Sequence, residues 1–110
     1  MKTIPFLKGF EPVLRSGKKT TTFRSEKLVN VGEYFRAYSM DFLCTKVKRM
    51  TLQEVMDNHW QTEGVDSLDD FKEIWKKIHP RKGVDPTFVG YLITFKLVDN
   101  AVNRPEEKWF

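Results

Sequence analysis

The sequence predicts an α+β domain with helices packed on the outside of a small curved, barrel-like sheet. Three observations carry this. The chain has 110 residues, enough to bury one hydrophobic core and so to form a single domain over 1–110. Apolar residues make up 40% and aromatics 14%, the composition of a packed interior. The periodicities run helix, strand, strand, strand, two helices and a long strand, without the strict β–α alternation of a doubly wound sheet.

Phe6, Phe10, Val13 and Leu14 recur at helical spacing and Gly17 follows as a C-cap, so a helix is expected over 6–16 with Pro12 in its first turn. Thr20-Thr21-Thr22-Phe23 is β-branched and aromatic, which predicts an extended segment. Alternation puts Thr20, Thr22 and Arg24 on one face and turns Thr21 and Phe23 to the core. After turn chemistry at Asn30-Val31-Gly32-Glu33, segments 34–39 and 42–50 read as two strands joined tightly around Met40-Asp41. Thr51-Leu52-Gln53-Glu54 is a capping box, and Leu52, Val55 and Met56 give the helix after it an apolar face. Ser67 caps another helix, whose Leu68, Phe71, Ile74, Trp75 and Ile78 form a core stripe. Glu73 and Lys77 pair on its wet side, and Pro80 ends it. The polar loop 79–86 leads to a long central strand over 88–98. The tail 104–110 is too polar to assign, although Trp109 and Phe110 are apolar enough to fold back on the barrel.

No window approaches the roughly 20 apolar residues of a membrane helix, and the opening MKTIPFLKGF lacks the long apolar centre of a signal peptide. A cytoplasmic protein without membrane contact is expected. The single cysteine, Cys44, reads as a buried, inert thiol. His59 and Glu63 stand four apart, but no third ligand has suitable spacing, so no metal and no cofactor is expected. The net charge of +4 is uneven. Residues 1–30 carry seven Lys/Arg (Lys2, Lys8, Arg15, Lys18, Lys19, Arg24, Lys27) against Glu11 and Glu26, or +5, and the other eighty carry twelve basic against thirteen acidic, or −1. An anionic partner would meet the N-terminal third, unless that third is only a solvated charge run.

The octapeptide GKKTTTFR at 17–24 invites comparison with a phosphate-binding loop. It fails as a Walker A motif, because Pro12 stands where the first glycine belongs and Lys19 where Ser or Thr should follow Lys18. A different pattern fits. Leu14-x-Ser16-Gly17-Lys18-Lys19-Thr20-x-Thr22-x-Arg24, then Val31-Gly32-Glu33, then His59-x-x-x-Glu63-Gly64, resembles the ASCH domain over nearly the whole chain. The 67–78 helix with its following His-Pro and the Tyr91–Leu97 strand belong to the same resemblance.

That resemblance implies a PUA-like small β-barrel with helices packed on its outside, and RNA or nucleotide binding in a basic cleft. It also implies an alternative activity, since some small single-domain ASCH proteins are amidohydrolases that remove the acetyl group from 4-N-acetylcytidine with a lysine, a threonine and a glutamate. The matching positions are Lys19, Thr22 and Glu63, and the departures are Thr21 and Phe23, where those hydrolases carry isoleucines. RNA or a modified nucleoside is thus the expected partner, with Lys18, Arg24, Tyr34 and His59 as candidate contacts. Tyr34, like Tyr38 and Trp60, has the stacking chemistry a base needs, and packing roles compete for each.

Opening an acylated amide takes a nucleophile, a base, an oxyanion donor and an acid for the leaving amine. Thr22 supplies a hydroxyl. Lys19 can take its proton only when neutral, which means lowering a pKa of about 10.4 by about three units, or about 4 kcal/mol. Lys18 and Arg24 push in that direction, whereas an adjacent Glu63 would hold the ammonium and make Lys19 an oxyanion donor instead. A third reading treats the basic cluster as an adaptor surface for an acidic protein.

Overall fold

The computed structural model describes residues 1–100, so the expectation for Trp109 and Phe110 lies outside the described residues. The elements are β1 (Lys2–Thr3), a 3-10 turn (Lys8–Phe10), α1 (Glu11–Ser16), β2 (Thr21–Arg24), β3 (Tyr34–Ala37), β4 (Met40–Thr51), α2 (Leu52–Asn58), a second 3-10 turn (Trp60–Thr62), α3 (Leu68–Ile78) and β5 (Val89–Asn100). They form an α+β fold around one mixed sheet of order β1-β3-β4-β5-β2, with β1–β3 parallel and the other pairs antiparallel.

The barrel expectation needs correction: the sheet is open, with β1 at one edge and β2 at the other. β1 and β2 pair over only two and four positions, each on one side, and curvature comes instead from register shifts in β4 near Asp41/Phe42 and Cys44/Lys46.

The sheet is buried on both faces, which explains why the segment after Phe88 reads as nearly continuous apolar sequence. On β5, Leu92 belongs to a cluster with Phe23, Met50, Val55, Phe71 and Trp75, while the next residue, Ile93, belongs to one with Leu14, Phe35, Phe42 and Phe95. Successive side chains point to opposite faces, so both faces are covered. Thr21 and Phe23 are buried as expected, but Thr22 is buried too. It pairs with Ile93 in register, so it lies on the face of the Ile93 cluster rather than in solvent.

Helix starts follow their caps. Thr51 Oγ1 accepts from the Glu54 N–H at 3.2 Å and Ser67 Oγ from the Asp70 N–H at 3.0 Å. The expected 6–16 helix is shorter and broken, since Pro12 confines the α-helical part to Glu11–Ser16, and Gly17 closes it at φ 82°. The hairpin turn lies at Tyr38-Ser39, both at positive φ, and Met40-Asp41 already belongs to β4. Ala37 pairs with Met40, so this is a two-residue loop built without the glycine or asparagine that would have marked it. On α3, Glu73 pairs with Lys76 at 3.5 Å rather than with Lys77. Cys44 is buried, and burial raises its thiol above the ordinary value. Among the described residues no helix is long and apolar enough to cross a membrane.

Candidate active site

The site lies beside β2, where an edge strand meets the N-terminal segment and α3. A cavity of about 480 Å³ opens there, within the range of small-ligand pockets. Its polar end is lined by Lys19, Thr22, Arg24 and Glu63, and its apolar arm by Phe6, Phe10, Phe71, Ile74 and Trp75.

Local structure explains the polar end. After the Gly17 turn the Lys19 N–H donates to the Val13 carbonyl at 2.9 Å, and the Thr20 N–H to the Thr62 carbonyl at 2.9 Å. This lays Lys19 beside Glu63 as an isolated antiparallel bridge. The turn at 60–62 ends on Glu63, and Gly64 at φ 88° reverses the chain against Lys19. A Cβ at Gly64 would stand 2.8 Å from Lys19 Cβ and 2.9 Å from Val13 Cγ2, so only glycine lets the two segments approach so closely.

Lys19 and Glu63 are 2% and 5% exposed. The Lys19 Nζ donates to the Thr21 carbonyl at 2.8 Å and the Glu63 carbonyl at 2.9 Å, and lies 3.9 Å from Glu63 Oε1. The Phe10 ring centroid lies 4.4 Å from Nζ and that of Phe6 5.8 Å. Burial pulls the Lys19 pKa below its ordinary 10.5, the Glu63 carboxylate opposes that, and Arg24 reinforces it. Burial dominates because, among the described residues, Glu63 is the one carboxylate facing the amine and does so from beyond hydrogen-bond distance.

The other Glu63 oxygen, Oε2, accepts a hydrogen bond from Thr21 Oγ1, which in turn lies 2.8 Å from Thr62 Oγ1. Thr22 Oγ1 accepts from Arg24 Nε at 2.9 Å, and Arg24 Nη2 donates to the Pro5 carbonyl at 2.6 Å while its guanidinium covers the Phe6 ring at 4.9 Å. Burial pulls the Arg24 pKa below its ordinary value, with Glu63 opposing, but a guanidinium stays charged. His79, stacked on Trp75 at 4.2 Å at the far end of the cavity, is held below its ordinary pKa by burial and by Lys82.

Lys19, Thr22, Glu63 and Arg24 therefore meet at one cavity. The other expected contacts do not reach it. Lys18 faces solvent in an ion pair with Asp66. His59 caps the end of α2 outside the lining. Tyr34, half exposed, lies on β3 in a shallow hollow with Met1, Lys2 and Glu33, three strands removed from β2. Among the described residues no three His, Cys, Asp or Glu side chains gather as a metal site. Sequence reasoning missed the roles of Thr21, Thr62, Phe6 and Phe10. The aromatics carried a readable signal as an apolar stripe, but nothing local showed that the stripe would face a lysine.

No protein-family model matches the chain, and no curated protein matches it. Solved structures do. The crystal structure of an ASCH domain from Lactobacillus crispatus JV V101 superposes with TM-score 0.72 at 14% identity, over 87% of this chain and 78% of that one. This chain has an ASCH-like fold. A second match is a protein from Enterococcus faecalis V583 assigned to the DUF984 family, with TM-score 0.60 and 23% identity over 79% of this chain. This chain spans 65% of that protein's length. A solution structure from Pyrococcus furiosus matches with TM-score 0.63 at 11% identity over 89% of this chain and 97% of that one. Identities this low report shared architecture alone.

Proposed function

We propose that this ASCH-fold domain binds a pyrimidine nucleoside in its cavity and hydrolyses an acyl amide on the exocyclic nitrogen, with 4-N-acetylcytidine as the substrate. The observation that carries the reading is the nearly dry Lys19–Glu63 pair at the polar end of a cavity that also holds Thr22 and Arg24. Burying two ionisable groups is costly, and a lysine whose pKa is lowered in a cleft points to chemistry.

In this mechanism the Thr22 oxygen attacks the acetyl carbonyl carbon while neutral Lys19 takes the hydroxyl proton. Arg24 donates to the same oxygen and fixes its orientation. Burial has already weakened the hold of Lys19 on its proton. Once charged, the amine is steadied by the Thr21 and Glu63 carbonyls and the Glu63 carboxylate. The C–N bond breaks, the proton passes from Lys19 to the departing cytosine nitrogen, and water then releases acetate from Thr22. The apolar arm excludes bulk water and packs against the flat ligand.

The alternative reading, an open basic RNA groove, has less support. Of the seven N-terminal cations, Lys2 pairs with Glu33, Arg15 with Glu11 and Lys18 with Asp66, while Lys19 is buried. RNA recognition is retained here only as a strand presenting its modified base to the cavity.

The test is incubation of the pure protein with 4-N-acetylcytidine, following release of cytidine and acetate. Turnover is expected, with Thr22→Ala and Lys19→Ala each about a thousandfold or more slower. Absence of turnover, or turnover that survives both substitutions, overturns the reading.

A further inference from the structure

We propose that Thr21 is a positioning residue for the Lys19–Glu63 pair: its hydroxyl tethers the Glu63 carboxylate and stops it from closing into a direct ion pair with the Lys19 amine. The inference deepens the hydrolase reading and rests on it for its catalytic meaning, although its geometry stands alone.

Thr21 grips both members of the pair. Its main-chain carbonyl accepts from Lys19 Nζ at 2.8 Å, and its hydroxyl donates to Glu63 Oε2. A hydroxyl has one proton to give. Thr62 Oγ1 lies 2.8 Å from Thr21 Oγ1 and donates its own single proton to the His59 carbonyl at 3.0 Å, and the charged Glu63 carboxylate is the stronger acceptor for the Thr21 proton. Thr21 is thus the donor to Glu63, beside a Thr62 hydroxyl anchored at the close of α2. Thr21 is 4% exposed, so water does not replace this bond.

The consequence shows in the second carboxylate oxygen. Glu63 Oε1 stops 3.9 Å from Nζ, outside the 2.7–3.2 Å range of a hydrogen bond. Two opposite charges this deeply buried attract strongly, and an untethered carboxylate would swing onto the amine and lock it as ammonium. The charged groups acting on Lys19 are Glu63, beyond the 60–62 turn, and Arg24, from β2. Phe6 and Phe10 cover it from the N-terminal segment, and Lys18 is turned to Asp66 in solvent. Losing the tether strengthens only the Glu63 influence.

The experiment follows the Lys19 side-chain 13C resonance against pH in lysine-labelled protein, assigned with Lys19→Met. Thr21→Val, which keeps the shape and drops the hydroxyl, is expected to raise the Lys19 midpoint by about one pH unit or more. Thr21→Ser should restore the wild-type midpoint. An unchanged midpoint in Thr21→Val overturns the proposal. If that variant does not fold, Thr21→Ala decides, with an upward shift expected and no shift fatal. The titration reads out whether or not substrate is turned over. A shifted midpoint in a protein without hydrolysis retains the tether and removes the hydrolase reading, while turnover with no shift does the reverse.

Discussion

Lys19 and Glu63, 44 positions apart in the chain, are joined twice: their backbones form an antiparallel bridge, and the lysine amine donates to the glutamate's own main-chain carbonyl at 2.9 Å. The second contact ties the amine to backbone, so its position does not depend on where the Glu63 carboxylate points. That separation allows side-chain chemistry at the pair without loss of the local fold.

Removing one partner strands the other. Lys19→Met leaves the buried Glu63 carboxylate without its facing cation and the Thr21 and Glu63 carbonyls without their donor, and a loss of about 3 kcal/mol is expected in chemical denaturation. In Lys19→Met/Glu63→Leu the stranded carboxylate is gone, so the double variant should lose clearly less than the sum of the two single losses. Strict additivity would show that the two side chains do not interact.

The stability of the wild type should rise with pH in the alkaline range relative to Lys19→Met. The Lys19 pKa is lowered on folding from 10.5, mainly by burial, so between the folded midpoint and 10.5 the unfolded chain binds the extra proton. Stability therefore climbs through that window as pH increases and is lost as pH falls back through it. Denaturant titrations of both proteins across the alkaline range give the difference directly, and a wild type that weakens relative to Lys19→Met contradicts it.

Gly64→Ala combines a positive φ with a Cβ that would lie 2.8 Å from Lys19 Cβ. A loss of about 2 kcal/mol or more is expected, seen as a lowered melting temperature. Gly9, whose added Cβ meets nothing within 4 Å, is the control, and Gly9→Ala should change stability far less.

Arg24 holds Thr22 Oγ1 through Nε and Pro5 through Nη2, a two-pronged contact that only a planar guanidinium makes. Arg24→Lys keeps the charge and loses the fork, and kcat/KM on the acetylated nucleoside should fall about tenfold or more. Equal rates in the two proteins would assign Arg24 a purely electrostatic part.

Binding to single-stranded RNA, where it occurs, should depend only weakly on salt. With Lys2, Arg15 and Lys18 in ion pairs and Lys19 buried, the N-terminal third leaves Lys8, Lys27 and the half-buried Arg24 for phosphate. Three contacts give a log–log slope near about −2. A much steeper slope, measured by fluorescence anisotropy, would restore the open-groove reading.

Much of the site was legible because it is local. Lys19, Thr22 and Arg24 fall within six residues, and strand alternation puts Thr22 and Arg24 on one face, where Arg24 Nε reaches Thr22 Oγ1. The Ser67 cap and the α3 stripe were legible for the same reason. Lys18, Tyr34 and His59 were named from residue chemistry alone, and chemistry does not reveal direction: Lys18 turns outward, Tyr34 lies across the sheet, and His59 ends a helix. The turn at Tyr38-Ser39 was hidden because neither residue is one that prefers the left-handed region.

Sequence alone determined the α+β order, the helix caps and the charged and hydroxylic residues of segment 17–24, because each depends on neighbours a few positions away. Tertiary structure decided that the sheet stays open, that both its faces are covered so that Thr22 is buried, and that Glu63 arrives beside Lys19 with Thr21 between its carboxylate and the amine. Those outcomes follow from packing between segments distant in the chain, where a fraction of an ångström at Gly64 settles which side chains meet.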